Sequence, residues 1–342
     1  MTATDQTVKY SYNCVDRSLL LPYFKTYYVT LYFRLIPRSL TANLITLFSS
    51  SLNLIMLLAL FAGPDSRFFA IVAAFCIHGY AVGDHLDGMQ AKETNTGSPL
   101  GEFLDHYLDV YNGSIILFVV LELFGNIPAE PFYLLFWLNF LAFGATMTEE
   151  LETGTLTFGR IGTLEALVLL FFFLVLWTVP QIRELWSSEM AAGYQWYWLL
   201  LVSIGAGYLL TTLDIFSRMR YVPGHFLLFA AVTLALAYGL YRFEISRTNA
   251  WIVQTLTAGE YIAKVMESHL LRKKARLPDP FVSLLVFFSL GAVLLGPIPR
   301  PLASIAAGML SIYLVARVLW ISVRVAIALK RHWRWKNPSL GV

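Results

Sequence analysis

This sequence contains few charged residues. Asp, Glu, Lys and Arg make up 14% of its 342 residues, whereas an average soluble domain carries about 25%. So little charge cannot cover the surface of a water-soluble globule, which argues against a soluble enzyme. Intrinsic disorder is excluded as well, because 57% of the residues are apolar and must be buried in protein or lipid.

Cysteine and strong net charge are also scarce. Cys14 lies in a polar N-terminal arm and Cys76 in an apolar segment, so we expect no disulfide. The net charge is only +3, and no basic stripe marks a soluble face. The sequence therefore predicts no binding to nucleic acid.

Long apolar runs are abundant, and the mean hydropathy is +0.62. Runs of about 20 apolar residues are typical of transmembrane helices. We therefore predict an all-α polytopic integral membrane protein with about ten transmembrane helices. The predicted spans are residues 43–62, 68–91, 100–123, 131–147, 161–179, 195–215, 224–241, 251–270, 280–296 and 304–328.

The chain is predicted to form a single membrane domain over residues 1–342. Residues 1–42 mix aromatic and basic side chains, which is typical of an amphipathic arm at the membrane interface. Residues 43–215 are predicted to be catalytic helices and residues 216–342 C-terminal helices. Ten spans place 17 Lys and Arg residues on one side and 5 on the other, which predicts both termini in the cytosol.

Four aspartates lie near the cytosolic ends of two consecutive predicted helices. Asp84 and Asp87 share one helix face, and Asp105 and Asp109 share a face of the next helix. A short turn at residues 93–99 folds the helices antiparallel, so the carboxylates can converge. Four such groups need a counter-charge, and oxygen-only ligands suit Mg²⁺ or Mn²⁺. Two such ions can clamp a diphosphate, so the pattern points to phosphoryl transfer.

The residues around these aspartates carry a family resemblance. They read D-x2-D-G-x2-A-K-x8-G-x3-D-x3-D, which is similar to the signature of the CDP-alcohol phosphotransferases. The one departure is Lys92, where that family usually has Arg; Lys can pair with a phosphate but lacks the bidentate fork of Arg. Four further stretches resemble the choline and ethanolamine phosphotransferase branch. They are VDRSLL (15–20), TANLITL (41–47), SPLGEFLDHYLD (98–109) and EELETGTLTFG (149–159).

This resemblance implies substrates, cofactors and site residues. Asp84, Asp87, Asp105 and Asp109 would bind two metal ions, Mg²⁺ or Mn²⁺. The donor would be CDP-choline or CDP-ethanolamine, the acceptor diacylglycerol, and the products CMP and a phospholipid. The small residues of the signature would also let helices and ligand approach closely. The nucleotide pocket would comprise Asn43, Thr46, Gly88, Ala91, Lys92 and Gly101.

The resemblance also suggests which residue accepts the proton from the acceptor hydroxyl. His106 directly follows Asp105, as in the Asp-His pair of the choline and ethanolamine branch, and we favour it as general base. Glu102 precedes it by four residues and could orient its ring. Asp109 is the alternative base, although a bound cation would make it a poor one. In a eukaryote the enzyme would reside in the endoplasmic reticulum or Golgi, with its active site facing the cytosol, and it could be a homodimer.

Several alternatives stay open. The donor could be CDP-diacylglycerol, or the chain could be a cation-coupled transporter or an inactive scaffold. The acidic cluster Glu149, Glu150 and Glu152 would by default be a solvated loop, although Glu149 or Glu150 could recognise a cationic headgroup. Glu260 and Lys264 predict a buried ion pair or a substrate-entry site. The bases of Arg272–Arg276 and the C-terminal tail are expected to contact anionic lipids.

Overall fold

The computed structural model describes residues 12–63, 67–125, 127–295 and 299–336, and these residues are mainly helical. The helices are α1 (Leu21–Tyr23), α2 (Thr30–Phe33), α3 (Ala42–Ala62), α4 (Arg67–Thr94), α5 (Pro99–Glu122), α6 (Ala129–Thr153), α7 (Thr163–Trp177), α8 (Pro180–Ser187), α9 (Tyr197–Arg218), α10 (Gly224–Arg242), α11 (Arg247–Leu270), α12 (Pro280–Leu295) and α13 (Arg300–Lys336). A π-helical segment, Phe24–Val29, joins α1 to α2. The strands are β1 (Cys14–Asp16), β2 (Leu156–Phe158), β3 (Glu189–Ala191) and β4 (Tyr194–Gln195).

Seven of the described helices are long and apolar enough to cross a membrane, namely α3, α4, α5, α6, α9, α10 and α13. The pair α7 and α8 adds an eighth if it is one broken span, bent by 110°. Each of the ten predicted spans falls on a helix, so the helical membrane architecture agrees with the sequence. The number ten stays a prediction, because α11 carries several charges and α12 is short.

Helix α11 is nevertheless the most enclosed helix of the bundle. Nearly every residue of 250–268 is buried, and the helix packs against α5, α6 and α13. Gly259 permits this packing, since a Cβ at that position would clash with the Tyr111 side chain of α5. Its charged residues are thus surrounded by protein rather than lipid.

The charges of α11 pair with one another, with α13 and with the segment that follows α11. Lys264 Nζ lies 2.6 Å from Glu260 Oε1, so the predicted ion pair is confirmed. Arg317 of α13 reaches both Glu260, at 3.3 Å, and Asp279 before α12, at 2.9 Å. Asp279 also caps α12 by accepting from two backbone N–H groups. Pairing of this kind is what makes charges inside a membrane bundle tolerable.

Helices α3 and α4 approach each other closely at a glycine. A Cβ on Gly83 would lie 2.5 Å from Ser49 Cβ, so only glycine allows this spacing. One turn further along, Thr46 of α3 meets Asp87 of α4. The close approach therefore brings the polar residues of α3 onto the acidic end of α4.

The N-terminal segment crosses the same end of the bundle as the aspartates. Strand β1 pairs in parallel with β2, which follows α6. The Ser18 hydroxyl donates to Glu165 at the start of α7, at 2.6 Å. Gln90 of α4 donates to the carbonyls of Pro37 and Leu40. These bonds fix the path of the segment and place Tyr12 against α5. Residues 1–11 of the predicted interfacial arm lie outside the described residues.

Candidate active site

The end of α4 and the start of α5 bring three of the predicted aspartates together. Oxygen atoms of Asp84, Asp105 and Asp109 all lie within 4.8 Å of one another. The turn between the helices explains this placement. Asn95 adopts a left-handed conformation with φ of 54°, and Ser98 caps α5 by accepting from Gly101 N at 3.1 Å. The chain thus reverses within a few residues, as the sequence predicted.

Among the described residues, the counter-charges near these three carboxylates are weak ones, namely two histidines and the more distant Lys25, which attracts Asp84. No described ion pair joins Asp84, Asp105 or Asp109 to a lysine or arginine. The nearest described basic atoms are His85 Nδ1, 3.6 Å from Asp84, and His106 Nε2, 3.9 Å from Asp105. The side chains of Asp84 and Asp105 are 30% and 33% exposed, so a ligand can reach them. Hard oxygen donors with uncompensated negative charge fit divalent cations such as Mg²⁺ or Mn²⁺.

Asp87 is placed differently from the other three. It is buried, and its Oδ2 accepts a 2.6 Å hydrogen bond from the Thr46 hydroxyl of α3. It is not part of the group of converging oxygen atoms. The bond to Thr46 therefore orients Asp87 at the edge of the cluster.

Tyr80 is a site residue that sequence reasoning missed. Its hydroxyl donates to Asp109 Oδ1 at 2.7 Å and so fixes the carboxylate. Tyr80 lies four residues before Asp84 on α4, which puts both on one helix face. The Tyr80 hydroxyl on the helix face that carries Asp84 was the sequence signal that could have identified Tyr80 as a site residue.

The predicted nucleotide-binding residues fall into two groups. In the first group, Asn43 of α3 is in close contact with Gly101 of α5. A Cβ on Gly101 would lie 3.1 Å from Asn43 Oδ1. Gly88 and Lys92 are exposed on α4, with the partly buried Ala91 between them. A Cβ at Gly88 would meet nothing within 4 Å, so this glycine faces open space. No described hydrogen bond or ion pair joins Lys92 to the aspartates.

His106 is buried beside the aspartates with a partner near each ring nitrogen. Its Nε2 lies 3.1 Å from the Tyr12 hydroxyl, and its Nδ1 lies 3.8 Å from Glu150 Oε2. Burial raises the pKa of Tyr12, so the phenol stays protonated at neutral pH. Tyr12 was another residue that the sequence did not single out, because its contact spans 94 positions.

Glu102 lies beside a histidine of another helix, and its role in orienting His106 stays a prediction. The Oε1 atom of Glu102 lies 3.6 Å from Nε2 of His269 on α11. Atoms of Glu102, Glu150 and His269 lie within 4.8 Å of one another. The i, i+4 spacing puts Glu102 and His106 on one face, but the imidazole turns toward Glu150 of α6. His269 was not predicted, since nothing in the sequence places α11 beside α5.

The acidic cluster at residues 149–152 is not simply a solvated loop. Glu149 and Glu150 are buried in the last turn of α6. Glu149 pairs with Arg218 of α9 through two contacts, at 2.6 and 2.9 Å. Glu152 accepts a hydrogen bond from Tyr221. Only Glu150 of the three reaches the site, through His106 and His269.

Sequence comparison agrees with this geometry. Residues 39–211 match the model of the family described as CDP-alcohol phosphatidyltransferase. Human ethanolaminephosphotransferase 1 is 30% identical over 166 residues, which cover 43% of this chain and 41% of the relative. Cholinephosphotransferase 1 of Gallus gallus is 32% identical over 167 residues, covering 46% and 49%. The same enzyme of Xenopus laevis is 31% identical over 193 residues, covering 53% and 46%.

The matched region spans about half the length of these relatives. It contains every aspartate of the acidic cluster, together with His106 and Glu150. The C-terminal helices α10 to α13 lie beyond the family match. His269, on α11, is therefore outside the matched region.

Proposed function

The chain belongs to the CDP-alcohol phosphatidyltransferase family, and from that premise we propose that it transfers phosphocholine or phosphoethanolamine from a CDP-alcohol to diacylglycerol. The acceptor is the free hydroxyl of the diacylglycerol. The products are CMP and a phospholipid.

One observation carries the proposal. The convergence of Asp84, Asp105 and Asp109, next to a buried histidine, supports a site for a diphosphate and a deprotonated hydroxyl. The relatives named for choline and for ethanolamine transfer support the headgroup class.

Asp84, Asp105 and Asp109 would hold the divalent ions, with Asp87 as the fourth ligand at the edge of the cluster. When bound, Mg²⁺ or Mn²⁺ supplies the positive charge that neutralises the diphosphate and the CMP leaving group. Tyr80 holds Asp109, and Thr46 holds Asp87, in fixed orientations. The open space at Gly88 leaves room for the nucleotide, and Gly101 lets Asn43 approach α5 closely.

His106 is the general base that accepts the proton of the acceptor hydroxyl. The hydroxyl oxygen of diacylglycerol attacks the β-phosphorus, and the bond from that phosphorus to the bridging oxygen of CMP breaks. The hydroxyl proton passes to His106 Nε2, the nitrogen that faces the Tyr12 hydroxyl. Glu150, near Nδ1, stabilises the imidazolium that forms, as a carboxylate beside a catalytic histidine does. Asp109 is the less suitable base, because it is also a metal ligand.

The membrane setting is part of the proposal. We infer about ten spans, an N-terminal interfacial arm and an active site that opens to the cytosol. Helices α11 and α12 complete the bundle although their composition or length falls short of an ordinary span. A eukaryotic chain of this kind would reside in the endoplasmic reticulum or Golgi, and a homodimer is compatible with the family.

A panel assay tests the function. The protein is purified in detergent and mixed with diacylglycerol, Mg²⁺ or Mn²⁺, and CDP-choline, CDP-ethanolamine or CDP-diacylglycerol, and CMP is measured. We expect release only with the amino-alcohol donors, abolished by EDTA and by Asp105→Asn. Asp214→Asn, an exposed aspartate of α9 outside the cluster, is the matched control and should keep activity. CMP release that survives EDTA would contradict the metal assignment, and release only from CDP-diacylglycerol would reassign the donor.

A further inference from the structure

The outer face of α13 carries an open groove of about 1010 Å³ near the end of α11. Three apolar residues of α13 line one part of it, namely Leu319, Val323 and Ile327. Three basic residues line the other part, namely Lys273, Arg324 and Arg331. The groove is thus amphipathic, and its charge is opposite to that of the aspartate cluster.

The two parts lie side by side on α13. Leu319, Val323 and Ile327 are spaced four residues apart, so they form a stripe about 12 Å long. All three are about half exposed or more. Arg331 lies at the far end of the apolar part of α13, and Lys273 comes from the segment that follows α11. Arg324 falls within the length of the apolar stripe, so a molecule in the groove meets hydrocarbon and positive charge side by side, with Arg331 at the far end.

The basic end has more positive charge than its protein partners neutralise. Glu267 of α11 is buried and pairs with Lys273 and Arg276, each at 3.3 Å, and with Arg324. Three cations thus share one carboxylate. No acidic group of the described residues forms an ion pair with Arg331. Such an excess at a membrane-facing surface favours an anionic ligand.

The Trp320 ring fixes one of these cations. The guanidinium carbon of Arg324 lies 4.7 Å from the ring centroid, and that of Arg317 lies 5.1 Å from it. The contact of Arg324 with Trp320, together with its ion pair to Glu267, holds Arg324 in the floor of the groove. The basic end is therefore preorganised rather than made of mobile side chains alone.

We propose that this groove binds an anionic glycerophospholipid. The headgroup phosphate would lie among Lys273, Arg324 and Arg331, and an acyl chain would follow Leu319, Val323 and Ile327. A neutral diacylglycerol would leave the positive charge unmatched. A second copy of this chain is also a poor occupant, since its net charge is +3.

Native mass spectrometry of the full chain in detergent tests the proposal. The protein is titrated with phosphatidylglycerol or with phosphatidylcholine of the same acyl chains. We expect phosphatidylglycerol to bind at least tenfold more tightly. The double variant Lys273→Gln/Arg331→Gln should weaken its binding roughly thirtyfold, given the contribution of each base near a membrane surface. Phosphatidylcholine binding should change little.

The charge-matched control is Arg34→Gln/Arg220→Gln, which removes two exposed cations outside the groove. It should keep the preference for phosphatidylglycerol. Val323→Glu places a negative charge on the exposed apolar wall and should also weaken binding, while thermal unfolding reports on folding of each variant. Equal affinity for the two lipids, the same loss in the control, competition by soluble glycerol phosphate, or a change of oligomeric state in the groove variants would overturn the proposal.

Discussion

His106 is the residue whose surroundings decide the chemistry of the proposed reaction. Its two nitrogens face different partners, Tyr12 on one side and Glu150 on the other. A carboxylate at Nδ1 favours the tautomer with the proton on that nitrogen, which leaves the Nε2 lone pair free to accept a proton. The roles of Glu150 and Tyr12 can therefore be tested separately.

We expect Glu150→Gln to lower kcat at least tenfold more than Glu102→Gln. Glu150 lies next to His106, whereas Glu102 lies next to His269. His106→Gln should lower kcat by about 10²–10⁴-fold, the usual contribution of a general base. Steady-state CMP release, with thermal unfolding as a folding control, measures all three. An equal loss in Glu102→Gln and Glu150→Gln would mean that Glu150 has no special role toward His106.

Tyr12→Phe should leave kcat within about threefold of the wild type. Its hydroxyl occupies the position near Nε2 that the acceptor hydroxyl would take, so the substrate would displace it. We expect the KM for diacylglycerol to stay equal or fall. If Tyr12→Phe instead lowers kcat by two orders of magnitude, the phenol takes part in proton transfer. Tyr23→Phe, an exposed tyrosine of α1, is the matched control.

Residue-level prediction succeeded where the relevant spacing was local. Asp84, Asp105 and Asp109 converge because helical periodicity and one short turn suffice to bring them together. The partners Tyr12, Glu150 and His269 come from distant elements, and only tertiary packing brings them to α5. Helical spacing alone cannot decide whether Glu102 orients His106, since it specifies a shared face but not the direction in which a ring turns.

At the scale of elements, the contact between α3 and α4 determines the site. We expect Gly83→Ala to destabilise the protein by about 1–3 kcal/mol, the usual cost of overpacking. The new methyl group would meet Ser49 Cβ, which belongs to a rigid part of α3. Activity should fall too, because Thr46 and Asp87 face each other one turn away. Thermal unfolding in detergent and CMP release are the measurements.

The compensating variant Gly83→Ala/Ser49→Gly should recover much of the lost stability, since it removes the opposing Cβ. Gly88→Ala provides the contrast. Because a Cβ there meets nothing within 4 Å, we expect unchanged unfolding but a higher KM for the CDP-alcohol. Destabilisation by Gly88→Ala, or no rescue in the double variant, would contradict the assigned roles of the two glycines.

Hydropathy largely predicted where the helices lie in the sequence, but it did not predict whether each helix is surrounded by protein or by lipid. The stretch 251–270 has the polar residues of a poor span, yet α11 is the most enclosed helix. Its Glu260 and Lys264 pair with each other, and Glu260 and Glu267 also pair with α13 and the segment after α11. Apolar periodicity cannot reveal this, because the compensating charges are up to 57 positions away. The bend of 110° between α7 and α8 was likewise not visible in the run 161–179.

At the scale of the whole molecule, one end of the bundle gathers the N-terminal segment, the aspartates and the end of α6. The parallel pairing of β1 with β2 and the contact of Tyr12 with His106 tie them together. The side of the membrane on which residue 14 lies is therefore also the side of the active site. The distribution of basic residues predicts that this side is the cytosol.

Thiol labelling in sealed microsomes, whose outer face is the cytosolic face, tests this orientation. We expect a membrane-impermeant maleimide to modify Cys14, which is exposed, without detergent, and to leave the buried Cys76 unmodified until the protein unfolds. Cys14→Ser should abolish the labelling. In that background, Ser188→Cys introduces an exposed thiol between α8 and α9, on the predicted opposite side, and should react only after detergent is added. Labelling of both positions in sealed vesicles would contradict the predicted topology, because Ser188 would then lie on the same side of the membrane as Cys14.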